Sequence, residues 1–285
     1  MILHKTGKRW NKRRIKYLII GLLILIFGLT MLSPVYFMVV NSFKRIDDFI
    51  ENGGWTLPKQ IVWDNYKKVF NSSGTLKFTS MIINSIIFTF SSTIISIVSS
   101  TMCAYILARY SFRGKGLLVS IGVGSLFIPD LGSGSMTYKL LLDLALMDTW
   151  GILIMYITPF GLNFLIMYSL FKTVAKDYSE AAALDGANEF IIFYKICMPM
   201  ALGMMVAMGV IQAINAWNDY YTPYMYLPSL KTLSVGLQEM ALSLSQIQKP
   251  MLFAGMVIGM TPVLILFICL NKTIISSVAV GGIKG

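Results

Sequence analysis

The chain has 285 residues, of which 56% are hydrophobic and only 13% charged, with a formal net charge of +11. Soluble domains carry about 25% charged residues, so this composition excludes a soluble globular protein and marks an integral membrane protein. The basic excess invites a nucleic-acid partner, but its distribution along the chain excludes one.

Seven basic residues (Lys5, Lys8, Arg9, Lys12, Arg13, Arg14, Lys16) precede the first charge-free run, Tyr17–Val40. Residues 1–16 therefore read as a basic cytoplasmic tail by the positive-inside rule. The run that follows is too long for the ~7–15-residue core of a signal peptide, and is expected to remain as an uncleaved anchor. Five further charge-free runs are Phe78–Ala108, Gly116–Pro129, Thr149–Phe171, Ile196–Asn218 and Pro250–Asn271. A span needs about 20 apolar residues; all pass except Gly116–Pro129, which spans by extending to about Gly132 with Asp130 near the interface. The runs are too continuous for barrel strands, which alternate over ~10 residues. The expected fold class is all-α, a polytopic membrane protein of six transmembrane helices, with 17–285 as a single transmembrane domain. With six spans both termini are cytoplasmic. Inside segments then hold 15 of the 24 basic residues, while outside loops hold nine of the 13 acids.

Between the first two spans, Asn41–Lys77 contains Gly53-Gly54, a Trp55–Pro58 turn and an amphipathic stretch, Trp63–Phe70, suited to the membrane surface. A tight basic turn, Arg109–Lys115, faces inside. Tyr138–Met147 predicts a short helix at the outer interface, and Pro159 with Gly161 predicts a kink in the fourth span. Cys103, Cys197 and Cys269 lie in or at the edge of apolar runs, without paired spacing, and read as small hydrophobes. The only histidine is His4 and no phosphate loop is present, so no catalytic residue, no metal ligand and no cofactor bound by this chain is expected.

The segment Glu180–Pro199, EAAALDGANEFIIFYKICMP, separates two charge-free runs. Ser179 is placed to cap a helix beginning at Glu180, whose carboxylate favours the positive end of the dipole. Ala181, Ala182 and Ala183 are strong helix formers that let another surface approach closely. Gly186 is placed to end the helix with positive φ, and Pro199 to start the next span. Lys176, Asp185 and Glu189 read as solvated charges. At the far end of the fifth span, Gln212, Asn215, Trp217, Asn218 and Asp219 offer amides and an aromatic face suited to sugars, although Trp also anchors interfaces. The loop Tyr220–Lys249, with a helix expected over Leu233–Ile247, either reaches outward from a tip near Ser229–Lys231 or packs as a lid on its own spans.

Glu180-Ala181-Ala182, then Gly186, Ile196 and Pro199, match the pattern E-A-A-x3-G-x9-I-x-L-P with Met198 in the leucine place. The chain thus resembles the permeases of binding-protein-dependent ABC importers. It is similar to the maltose-type carbohydrate permeases also at Asn84-Ser85, Ala104–Gly114, Trp217-Asn218-Asp219 and Gly281–Gly285. The resemblance implies a type I importer permease fold with a core over 77–272 and a cytoplasmic coupling loop over 173–199. It implies a second permease subunit forming a heterodimer, and two cytoplasmic ATPase subunits that carry ATP and Mg. It also implies an extracytoplasmic solute-binding protein, a sugar or oligosaccharide cargo, and the plasma membrane of a bacterium. Glu180, Ala181, Ala182, Gly186 and Pro199 become the ATPase-coupling residues. The motif specifies ATPase coupling rather than cargo. A glycerophosphodiester or polyol importer therefore stands as an alternative, as does a membrane scaffold without transport.

Overall fold

A computed structural model describes residues 12–71, 77–128, 132–175, 177–243 and 248–282, with side chains described from Arg14 to Leu270. Among these residues every regular element is helical: α1 (Lys12–Ser42), α2 (Ile46–Asn52), α3 (Asp64–Asn71), α4 (Phe78–Arg109), α5 (Lys115–Gly124) and α6 (Ser133–Asp143). A 3-10 segment (Trp150–Tyr156) precedes α7 (Leu162–Thr173), α8 (Asp177–Leu184) and α9 (Glu189–Ile192). A π turn (Phe193–Cys197) leads into α10 (Met198–Asn218), followed by α11 (Tyr221–Tyr226), α12 (Leu233–Ser243) and α13 (Lys249–Gly282).

Among the described residues, four rods are long and apolar enough to cross a membrane: Arg14–Ser42, Phe78–Arg109, Glu189–Asn218 and Lys249–Leu270. They coincide with the first, second, fifth and sixth expected spans. The third run is helical only as α5, of 10 residues; Pro129–Leu131, and with them Asp130, lie outside the described residues. The fourth run is more than kinked. It divides into the 3-10 segment and α7, separated at Ile157–Gly161, with Gly161 at φ +124°. Pro159 lacks a donor and disfavours helix in the residue before it, while Gly161 reaches positive φ without a Cβ penalty. Irregular backbone at membrane depth survives only where other groups satisfy it; the Thr158 hydroxyl meets that of Ser96 at 3.0 Å.

The chain divides into two compact units. The first comprises the chain up to Val69 with 244–257. Most of α1 is exposed between Tyr17 and Leu32. Order is concentrated after its end, around Lys44, which is 0% exposed. Lys44 Nζ donates to the Gly53 carbonyl (2.7 Å) and Thr56 Oγ1 (3.0 Å). Asn65 Nδ2 bonds the carbonyls of Ser42 (2.8 Å) and Lys44 (2.9 Å), tying α3 to the end of α1. The Asp48 carboxylate accepts from the Lys59 N–H (3.0 Å) and the Asn52 amide (2.9 Å). Burial pulls the Lys44 ammonium below its ordinary pKa, and the nearby Asp48 carboxylate opposes that. Trp55, Leu57, Ile61 and Trp63 stay exposed on this knot, as expected of aromatics at a membrane surface.

The second unit spans 70–243 and 258–285. Its mast is α4, against which α7, α10, the 3-10 segment and α12 all pack. Ser92, Ser96, Ser100 and Ala104 recur every four residues along α4 and all are buried. Small residues at this spacing let helices in a membrane approach closely. One core gathers Tyr105, Phe164, Met167, Phe171, Cys197 and Met205, and a second Phe88, Leu141, Ile152, Tyr226 and Leu227. Cys103, Cys197 and Cys269 are free thiols.

The segment after α11 is pinned. Asp148, at φ +57°, donates its N–H to the Tyr226 carbonyl (2.8 Å) and accepts from the Ser229 N–H (2.8 Å). Asn84 donates to the Lys231 carbonyl (3.1 Å), and the Ser85 hydroxyl accepts from the Leu233 N–H (2.7 Å). Residues 229–231 are therefore held against the segment's own neighbours, which fits the lid alternative rather than a free tip. Exposure lies instead at the end of α12, where Leu242 is 78% exposed; the expected continuation over 244–247 lies outside the described residues.

Candidate functional site

The segment between α7 and α10 is built for exposure. Helix α8 begins at Asp177 rather than at Glu180, so Ser179 is not its cap but a first-turn residue. The acids Asp177 and Glu180 both lie in that first turn, where the helix dipole favours them. None of the eight residues of α8 is buried. Glu180, Ala181, Ala183, Asp185 and Gly186 are exposed, while Ala182 and Ala187 pack on the core.

The helix ends as the glycine predicts. Gly186 has φ +82°. Its N–H donates to the Ala183 carbonyl (3.1 Å), and the Ala187 N–H to the Ala182 carbonyl (3.0 Å). This pair of bonds is the Schellman arrangement, which satisfies the last carbonyls of a helix. The apolar contribution of Ala182 and Ala187 to the core then seats the turn. Two large side chains unforeseen from sequence project beside the alanines: Tyr178, and Leu184, which is 90% exposed. Leu184 stands where a solvated helix would place a polar residue, and that is the signal by which it was detectable.

The chain re-enters helix at Asn188, whose side chain accepts from the Ile191 N–H at 2.8 Å and caps α9. Pro199 lies in the first turn of α10, yet the rod already runs from Glu189. Proline cannot donate to the carbonyl four residues back and crowds it. The chain accommodates this with the π turn, in which the Met198 N–H reaches the Phe193 carbonyl. Phe190 and Ile191 are exposed, but Phe193 packs against Tyr105 with ring centroids 4.8 Å apart. Glu189 is exposed, as a solvated charge should be, but it also has a partner: the Tyr110 hydroxyl donates to its carboxylate. Burial first, and this bond second, hold the Tyr110 phenol above its ordinary pKa. A cleft of about 250 Å³ beside α8 is lined by Arg109, Tyr110, Ser179, Glu180, Ala183 and Glu189. Lys176 lies outside the described residues.

At the other end of α10 the amide and aromatic residues separate into two groups. Trp217 donates its indole N–H to the Gly259 carbonyl (2.9 Å), near Pro262 within α13. Asn218 donates to the Ile214 carbonyl (2.8 Å). The Asp219 carboxylate accepts from the Thr222 N–H in the first turn of α11 (3.0 Å), while its carbonyl accepts from the Ser234 hydroxyl (2.8 Å). These three residues have structural uses. Gln212 is half-buried and Asn215 exposed on α10.

Residues 66–279 match the family described as binding-protein-dependent transport system inner membrane component. The chain is 30% identical over 271 residues to the arabinooligosaccharides transport system permease protein AraQ of Bacillus subtilis (strain 168), covering 93% of this chain and 94% of that protein. It is 30% identical over 263 residues to the trehalose transport system permease protein SugB of Mycobacterium tuberculosis (strain CDC 1551 / Oshkosh), covering 89% and 93%. A chain from a bacterial ABC transporter involved in the import of the acidic polysaccharide alginate shares the fold, with a TM-score of 0.81 at 23% identity over 92% of this chain and 98% of that one.

Proposed function

The chain belongs to the family of binding-protein-dependent transport system inner membrane components, and on that footing we propose that it carries a sugar or oligosaccharide as one half of a two-permease pore. It is a multi-pass membrane permease. The observation that carries the mechanism is α8, a helix that buries none of its residues and is closed by Gly186 at φ +82°. A short exposed helix between two spans, with small residues and a projecting Leu184, suits a docking cleft on a separate subunit. That subunit is a cytoplasmic ATPase, present twice in the complex, and ATP and Mg reside there. Glu180, Ala181, Ala182 and Gly186 seat the contact, and Pro199 anchors the rod above it.

Closure of the ATPase pair moves α8, and with it α7 and the Glu189–Asn218 rod, because packed elements move as units. The pore then opens to the outside, where a solute-binding protein delivers cargo. Gln212 and Asn215 line the path. Their amides are unfavourable against lipid and suited to sugar hydroxyls. The carbohydrate cargo is supported by relatives named for arabinooligosaccharides and trehalose. The partner permease is a different chain, the membrane is the bacterial plasma membrane, and both termini are cytoplasmic.

The complex purified with its binding protein and screened with arabino-oligosaccharides, trehalose and diacetylchitobiose is expected to show ATP hydrolysis stimulated by one sugar class. Stimulation by a polyol or glycerophosphodiester alone would overturn the carbohydrate reading. Sidedness is checked separately, in a background lacking the three native cysteines. Arg113→Cys is expected to react with an impermeant thiol reagent only from the cytoplasmic side, and Leu57→Cys and Leu242→Cys only from outside. One reversed site breaks the six-span topology.

A further inference from the structure

The docking loop is attached to more than the two helices that flank it in sequence. Tyr110, the first residue beyond α4, donates its hydroxyl to Glu189 at the start of α9. Its ring meets Tyr105 edge-on at 5.9 Å, and Tyr105 in turn packs against Phe171 of α7 (5.5 Å) and Phe193 of the π turn (4.8 Å). Arg109 reaches the Ala175 carbonyl at 3.4 Å, and Lys115 of α5 reaches the Tyr110 carbonyl at 3.0 Å. No residue of α8 is fully buried and Ala182 packs only partly on the core, so a push on α8 reaches the spans also through the bonds of the residues that flank it. Together with the Arg109–Ala175 bond, the Tyr110–Glu189 bond ties the loop to the end of α4, and it is the one made between two side chains.

What lies at the other end of α4 gives that bond its meaning. The helix is 32 residues long, about 48 Å at 1.5 Å per residue. Asn84 and Ser85 near its start hold the Lys231 carbonyl and the Leu233 N–H. The same rod therefore grips the docking loop at its foot and the outer segment 231–233 at its head. Its central serines, Ser92, Ser96 and Ser100, are buried, and α7 and α10 pack along the same rod.

We propose that the Tyr110–Glu189 hydrogen bond is a transmission link that makes α4 move with the docking loop and carries that motion to the outer loop held by Asn84 and Ser85. Glu189 is then a positioning residue for coupling hydrolysis to transport. The proposal rests on α8 being the ATPase dock. Its physical content is a rigid rod bonded at both ends, rather than mere intermediacy between two sites.

The test uses the assembled complex in nanodiscs, with the binding protein loaded with arabino-oligosaccharides or, in parallel, trehalose. Tyr110→Phe and Glu189→Ala are expected to keep the ATPase subunits on pull-down. Basal hydrolysis should stay within about twofold, the spread of a neutral surface change. Stimulation by the loaded binding protein should fall about fivefold or more, the lower end of ordinary coupling factors. Glu189→Gln should retain stimulation, since its amide oxygen still accepts from the phenol. The double variant should be no worse than either single one, as for two partners in one interaction. Undiminished stimulation in the single variants, additive losses, or Glu189→Gln as damaging as Glu189→Ala would each overturn the proposal. Loss of the ATPase from both single variants would make the bond a structural brace and overturn it too. A wild-type complex that stays assembled when α8 is replaced by a Gly-Ser linker would overturn the docking reading itself, and is scored independently of the variants.

Discussion

Gly186→Val is expected to reduce uptake by at least about tenfold, the factor that 1.4 kcal/mol represents, with membrane insertion unchanged. The position has φ +82°, and a left-handed conformation costs a residue with a Cβ about 1–2 kcal/mol, more for a β-branched one. A Cβ there would meet nothing within 4 Å, so the effect comes from the backbone and not from a clash. Relief of that strain breaks the bonds of Gly186 to Ala183 and of Ala187 to Ala182, and the end of α8 loses its fixed direction. Gly186→Asn is the control, because asparagine tolerates this conformation. Uptake measured in cells beside an immunoblot of membranes separates the two variants. Normal uptake in the valine variant would remove the turn from the mechanism.

Lys44→Ala is expected to cost about 2–3 kcal/mol in the segment after α1, since it removes hydrogen bonds made by a charged group and leaves a cavity where the buried stem lay. The side chain is fully buried, and its loss removes its bonds to the Gly53 carbonyl and the Thr56 hydroxyl. Lys44→Met fills most of the volume but restores neither bond, so it should fall between wild type and alanine. Limited proteolysis from the outer face, read at cleavage sites between residues 43 and 63, provides the measurement. Equal resistance of all three chains would show that Lys44 does not hold the knot together.

The spans were legible because charge is expensive in a bilayer, which leaves a long apolar run as its own signature. Two runs misled in detail. Pro159 and Gly161 signalled an irregularity, but its extent depends on local bonds such as that of the Thr158 N–H to the Tyr156 carbonyl and on the hydroxyl contact with Ser96, and periodicity says nothing of those. The turn after α8 was readable from Gly186, whose φ follows from its place after an alanine run. Ser179 misled because a serine before a glutamate satisfies the N-cap rule locally, while the helix starts earlier at Asp177. Lys44 and Glu189 were invisible for a common reason. A charged residue in a loop looks solvated until a partner distant in sequence, Thr56 or Tyr110, arrives beside it.

The π turn between Phe193 and Cys197 has a consequence for how this loop tolerates change. A π turn holds one more residue than an α turn, and each residue of a helix turns it by about 100°. The chain length between Glu189 and Pro199 is thus an angular setting: it fixes the compass bearing at which α8 leaves the rod. Substitutions there adjust local packing, whereas a one-residue deletion would swing the whole of α8 by roughly a quarter turn and present a different face of it.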